Sequence, residues 1–239
     1  MRVALVTGGT RGIGHAISIA LKQAGRNVVA SYVANIEAAE AFTAETGIEA
    51  MRFDAGDFEQ CLAAVSTIAA THGPVEILVN NAGITRDTVI SKMTREMWDA
   101  VINTNLGSCF NLSKACFDGM KARKFGRIVN VGSLNGQAGQ FGQVNYAAAK
   151  SGMHGFTKAL ALEGARHGIT ANVIAPGYVD TEMVRAMAPD VLEKFIAKIP
   201  RGRMCTVGDI ARGVAFLTAD EADVITGSTL SINGGLHMY

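Results

Sequence analysis

A chain of 239 residues, 49% hydrophobic and 18% charged, can bury a substantial core, and one α/β domain is a comfortable size for it. A net charge of +1 offers no global field for nucleic acid or an anionic membrane, so neither is expected as a partner. Four apolar residues before the first glycine are too few for a signal-peptide core, no later run approaches a membrane span, and Cys61, Cys109, Cys116 and Cys205 lack C-x-x-C spacing; reduced core thiols in a cytoplasmic protein are expected, and the five unclustered histidines argue against a metal site.

The first predicted strand, Val3–Thr7, runs directly into Gly8-Gly9-Thr10-Arg11-Gly12-Ile13-Gly14 and an amphipathic helix near 13–24. Strand, glycine turn and helix are the setting a dinucleotide pyrophosphate needs, because glycine lets backbone approach the phosphates and the helix start presents free N–H groups. Gly8, Thr10, Arg11, Gly12, Ile13 and Gly14 are placed there, although the spacing is G-x-x-x-G-x-G rather than G-x-G-x-x-G. The second strand, Asn27–Tyr32, precedes a helix over 35–46. Sites for NAD usually hold the ribose 2′-hydroxyl with an acid about 20 residues past the turn, at the end of this strand. Here Ser31 and Tyr32 lead to Val33-Ala34-Asn35, with no acid before Glu37. Arg11 could pair with a 2′-phosphate or be a solvated charge; its presence and the missing carboxylate favour NADP(H).

The third strand, Glu49–Asp54, ends at Asp54-Ala55-Gly56. Asp54 could accept a hydrogen bond from the adenine amino group, beside two small neighbours, or cap the helix over 57–71. The fourth, Ile77–Asn80, opens into Asn81-Ala82-Gly83, where small residues would let a nucleotide lie against backbone or simply form a turn. A helix near 94–120 follows, then strand Arg127–Gly132 and Ser133, a hydroxyl that could polarise a carbonyl. The helix over 144–166 carries Tyr146 and Lys150, four residues apart and therefore on one face. A lysine there can favour the ionised phenol, whose ordinary pKa of about 10 makes it a poor proton relay at neutral pH. Strand Thr170–Ala175, a long excursion over 177–206, a helix over 207–218 and strand Thr229–Ile232 complete the chain. Near-continuous apolar strands alternating with helices predict a doubly wound, parallel seven-stranded α/β sheet of Rossmann type, covered on both faces, in one domain over 1–239. Insertions at the carboxyl ends of strands are where ligands bind in such sheets, so 177–206 is expected to be a substrate lid. The alternative is a surface excursion without a role. Lys121, Arg123, Lys124, Arg127 and Arg166 form a basic patch that could meet an anionic substrate carrier or be a solvated helix end.

Taken together, Thr7–Gly14, Asn80-Asn81-Ala82-Gly83, Asn103-Thr104-Asn105-Leu106, Ser133, Tyr146, Lys150 and Pro176-Gly177 resemble the short-chain dehydrogenase/reductase superfamily over essentially the whole chain. The resemblance implies a nicotinamide-dependent oxidoreductase with Asn105, Ser133, Tyr146 and Lys150 as its catalytic set. It also implies that Ile84, Thr85, Tyr146, Lys150 and Pro176-Gly177-Tyr178-Val179 contact the cofactor. Within the superfamily the segments 81–87, 135–143 and 233–238 are similar to acetoacetyl-CoA reductases of the polyhydroxyalkanoate pathway, with 3-oxoacyl-[acyl carrier protein] reductases as near relatives. That likeness implies NADPH-dependent reduction of a 3-oxoacyl-CoA thioester, a substrate cleft lined by Asp87, Ser133, Gln140, Phe141, Gly142, Gln143, Gly177 and Tyr178, and a homotetramer.

Overall fold

A computed structural model of the chain describes residues 1–181, 184 and 189–238. The strands β1 (Val3–Val6), β2 (Asn27–Tyr32), β3 (Glu49–Arg52), β4 (Val75–Asn80), β5 (Gly126–Val131), β6 (Ile169–Pro176) and β7 (Thr229–Ile232) form one parallel seven-stranded sheet in the order β3-β2-β1-β4-β5-β6-β7. The doubly wound Rossmann-type sheet read from the alternation is therefore the fold. Between them lie α1 (Gly12–Gln23), α2 (Ile36–Thr46), α3 (Phe58–Thr71), α4 (Arg95–Ile102), α5 (Ser108–Arg123), α6 (Leu134–Ala138), α7 (Val144–Gly164), α8 (Pro189–Ile196) and α9 (Val207–Leu217).

Alternation along each strand divides the core. Ala4 and Val6 of β1 face one side with Ile17 and Leu21 of α1, Phe42 of α2 and Ile210, Val214 and Leu217 of α9. Val3 and Leu5 face the other side with Ile68 of α3, Leu112 and Met120 of α5 and Ala161 of α7. Both sheet faces are thus apolar, which is why the strands read as unbroken hydrophobic runs.

Two local features differ from the sequence reading. The single helix expected over 94–120 is α4 and α5 joined by a π turn over Asn103–Gly107, in which the Ser108 N–H reaches back to the Asn103 carbonyl. The basic patch loses Arg127: it is 2% exposed, and its guanidinium donates to the carbonyl oxygens of Gly126, Gly168, Ala219 and Asp220. Those carbonyls satisfy the charge inside the fold, and burial pulls its pKa down.

All four cysteines are free and buried. Within the expected lid, α8 sets Phe195 4.7 Å, ring to ring, from Tyr178. Residues 182, 183 and 185–188 of that segment lie outside the described residues. No described helix is long and apolar enough to cross a membrane.

Candidate active site

The strand order reverses between β1 and β4, which leads to a crevice at their carboxyl ends. Thr7, one residue past β1, ties the two together. Its hydroxyl oxygen accepts from the N–H groups of Asn81 and Ala82, each at 2.9 Å, and Asn81 Nδ2 donates back to Thr7 O at 2.8 Å. Ser31 secures the turn from β2, accepting from Gly9 N through its carbonyl at 3.0 Å and from Gly8 N through its hydroxyl at 3.3 Å.

The start of α1 differs from those of α2, α3, α4 and α9, and shares with α5 and α7 the lack of a side-chain cap. Asn35, Asp57, Thr94 and Thr206 cap α2, α3, α4 and α9 with side-chain oxygens. Arg11 supplies no such cap to α1, and no acid stands in that first turn. The N-terminal amides and the positive end of the helix dipole are left to an outside anion. Gly12 sits at φ +53°, and a Cβ built on it would meet nothing within 4 Å, so the turn is an open cradle. Gly14 is the opposite case: a Cβ there would run into the Gly8 carbonyl and come within 2.6 Å of Asn81 Nδ2. These observations fit a dinucleotide pyrophosphate over Gly8–Gly14.

The remaining cofactor candidates line the same edge. Asp54 Oδ1 accepts from Gly56 N at 2.8 Å, while Asp57, not Asp54, caps α3. Ala55 and Gly56 are held through their carbonyls by Asn111 Nδ2 at 3.0 Å and Asn103 Nδ2 at 3.3 Å, two contacts the sequence reading missed. Pro176 ends β6, Gly177 N donates to Ile232 O at 2.9 Å, and Val179 bridges to Cys205. Ile84 is half-buried and Thr85 exposed on the segment leaving β4.

The structure brings the four catalytic candidates together. Ser133 follows β5 and caps α6, its hydroxyl accepting from Asn135 N at 3.1 Å. It also lies in hydrogen-bonding reach of the Tyr146 phenol. One turn along α7, Lys150 Nζ lies 5.7 Å from the centre of the Tyr146 ring and donates to Val131 O at 2.7 Å. Asn105 sits in the π turn with no exposed surface; its carboxamide takes both backbone groups of Ile84, accepting from N at 2.7 Å and donating to O at 2.9 Å. A Cβ on Gly83 would come within 2.9 Å of Asn105 Oδ1 and 3.6 Å of Lys150 Nζ, so these groups converge on the backbone after β4.

The electrostatics differ in one respect from the sequence reading. Burial pulls the Lys150 ammonium down to about 8 from its ordinary 10.5. Burial also pushes the Tyr146 phenol up; the Ser133 hydrogen bond opposes this and Asp87 adds to it. Desolvation thus outweighs the Ser133 hydrogen bond at the phenol, Lys150 is not among the groups that shift it, and burial drives the lysine's own cation toward its neutral amine.

The substrate candidates form two groups. Gln143 is committed to its neighbours, donating through Nε2 to Asp87 Oδ2 at 2.7 Å and accepting through Oε1 from Asn135 Nδ2 at 2.8 Å. With the Thr88 N to Gly142 O bond, this holds the start of α7 against the loop leaving β4. Phe141 is 87% exposed beside Gln140, which is exposed as well. Tyr178 packs on Phe195 as described above, adjoining Gly177. Asn145 was not anticipated. It is fully buried, its Nδ2 donating to Arg86 O and Met97 O and its Oδ1 accepting from Tyr146 N, so it fixes the entry of the tyrosine into α7. Only its place beside Tyr146 hinted at this.

Comparison with known proteins agrees with this geometry. An acetoacetyl-CoA reductase of Shinella zoogloeoides is 57% identical over 98% of both chains. That of Cupriavidus necator is 47% identical, covering 99% of this chain and 98% of its own. The 3-oxoacyl-[acyl-carrier-protein] reductase FabG of Escherichia coli is 44% identical over 99% of this chain and 98% of its own. The short chain dehydrogenase family model matches residues 2–191, and the chain belongs to that family.

Proposed function

We propose that this chain reduces the ketone of acetoacetyl-CoA, with NADPH as hydride donor, to (R)-3-hydroxybutanoyl-CoA, the monomer of polyhydroxyalkanoate synthesis. The observation that carries the reading is the meeting of the Ser133 hydroxyl, the Tyr146 phenol and the Lys150 ammonium beside an uncapped glycine cradle. Acetoacetyl-CoA reductases at 47% and 57% identity over nearly the full chain support the substrate.

A nicotinamide ring, when bound, supplies the hydride. Tyr146 is the proton donor to the substrate oxygen, and Ser133 donates a second hydrogen bond to that oxygen as charge develops. Lys150 holds positive charge beside the phenol and can reach ribose hydroxyls. Asn105 braces the Ile84 backbone and connects the lysine to solvent through water, so that Tyr146 is reprotonated. Glycines 8, 12 and 14 with Thr10 and Ile13 carry the pyrophosphate. Asp54, Ala55 and Gly56 face adenine, Asn81–Thr85 and Pro176–Val179 face the nicotinamide half, and Ser31, Tyr32 and Arg11 face the 2′-phosphate. Asp87, Gln140–Gln143, Gly177 and Tyr178 border the thioester. Absence of an acid at the end of β2, with Arg11 in the turn, supports NADP(H) over NAD(H).

The chain acts as one domain with a lid over 177–206, in the cytoplasm. Exposed Phe110 on α5, Leu162 on α7 and Phe216 on α9 support a homotetramer that covers them. Sedimentation should give that species, and a stable monomer would refute it. The substrate is tested by comparing kcat/KM for acetoacetyl-CoA with that for the acetoacetyl carrier-protein thioester. A preference for the carrier-protein substrate would assign the chain to fatty acid synthesis instead.

A further inference from the structure

The end of β2 and the segment after it offer hydroxyls but no cation to hold a 2′-phosphate. Ser31 is 2% exposed and already accepts from the turn, Ala34 has no polar group, and Asn35 is occupied capping α2 through the Ala38 N–H at 2.8 Å. Charge for a phosphate at this strand end therefore has to come from its neighbours. The strand order sets β1 on one side of β2 and β3 on the other. From the β1 side comes the glycine turn with Arg11. From the β3 side comes Arg52, the last residue of that strand, paired in register with Tyr32.

Arg52 is aimed along this loop. Its Nε donates to Val33 O at 3.0 Å, which fixes the exposed guanidinium against the β2–α2 connection. Among the described residues its two Nη groups make no hydrogen bond, and neither Arg52 nor Arg11 forms an ion pair. A planar guanidinium anchored through Nε keeps its outer N–H pair available for an anion. We propose that Arg52 is a second ligand of the cofactor's 2′-phosphate, acting from β3 opposite Arg11, and so determines the preference for NADPH over NADH. This rests on the NADP(H) reading given above.

Equilibrium binding to the intact protein tests it, with NADPH, NADH, 2′,5′-ADP and 5′-AMP titrated against wild type, Arg52→Gln and Arg52→Lys. Losing one charge-assisted contact should weaken NADPH and 2′,5′-ADP by roughly 10- to 100-fold in Arg52→Gln. NADH and 5′-AMP should bind as in wild type, and Arg52→Lys should recover part of the loss. If wild type prefers NADPH but Arg52→Gln leaves the NADPH/NADH ratio unchanged, Arg52 is overturned while the NADP(H) reading stands. An equal loss for all four nucleotides would make Arg52 a brace of the loop and would also overturn it. If wild type shows no preference for the 2′-phosphate, the NADP(H) reading fails and the assignment of Arg52 fails with it.

Discussion

Lys150 offers the sharpest quantitative test, because its burial has a thermodynamic consequence separable from catalysis. Its ammonium is pulled down to about 8 from 10.5 by desolvation, while Nζ keeps a 2.7 Å hydrogen bond to Val131 O. The folded state thus releases a proton more readily than the unfolded chain. Between pH 8 and 10.5 the unfolded chain binds more protons, and stability rises with pH across that window. The benefit is complete above the unfolded value and is lost as pH falls through the folded one. At 1.36 kcal/mol per pK unit the full swing is about 3 kcal/mol. Lys150→Met removes the titration and keeps the volume. At pH 7 its stability reflects two opposing changes, relief of the desolvated charge and loss of a charge-assisted hydrogen bond of roughly 1.5–3 kcal/mol. The pH dependence has no such cancellation. Urea unfolding of both proteins without nucleotide, followed through the single Trp98, should show wild type gaining about 3 kcal/mol on the variant between pH 7.5 and 10.5. Tyrosines and cysteines remote from residue 150 titrate alike in both proteins and drop out of the difference, and the Cys109 thiol, which feels the Lys150 charge, is pushed by burial up to about 11, above that window. A difference that stays flat with pH, or that falls, refutes a desolvated lysine.

Further substitutions probe the other parts of the site. Tyr146→Phe should abolish turnover while NADPH still binds, read by steady-state kinetics beside nucleotide titration; retained turnover would remove the phenol as proton donor. Ser133→Ala should lower kcat by about 10²–10³-fold, as for a single oxyanion donor, and a wild-type rate would take the hydroxyl out of the reaction. Gly14→Ala forces a methyl onto the Gly8 carbonyl, and overpacking of about 1–3 kcal/mol should appear in urea unfolding together with loss of dinucleotide affinity. Unchanged affinity would show that the turn tolerates the shift. Asn105→Leu strands the N–H and carbonyl of Ile84, each costing about 1–3 kcal/mol, and should destabilise the protein even without cofactor. Wild-type stability in that variant would mean that water replaces the carboxamide.

The sequence by itself determined the sheet and named the candidate residues that gather at its carboxyl edge. Apolar strands spaced by helices allow few topologies, and the glycines of Thr7–Gly14 directly after a strand mark a tight turn into a helix. Tyr146 and Lys150 were legible because a four-residue spacing places two side chains on one helix face. Interactions between distant segments were not legible. Neither the π turn around Asn105 nor the clasp of its carboxamide on Ile84 follows from local propensity, since both depend on where the segment after β4 returns. Gln143 read as a substrate residue, and the hydrogen bonds that tie its amide to Asp87 and Asn135 carried no signal in the sequence. Arg127 read as a surface charge, but four backbone carbonyls from three segments surround it. Arg52 carried no signal until strand order put β3 beside β2. The desolvation that sets the charge state of Lys150 and Tyr146 was likewise decided only by tertiary packing, because burial is a property of everything around a group and not of its neighbours along the chain.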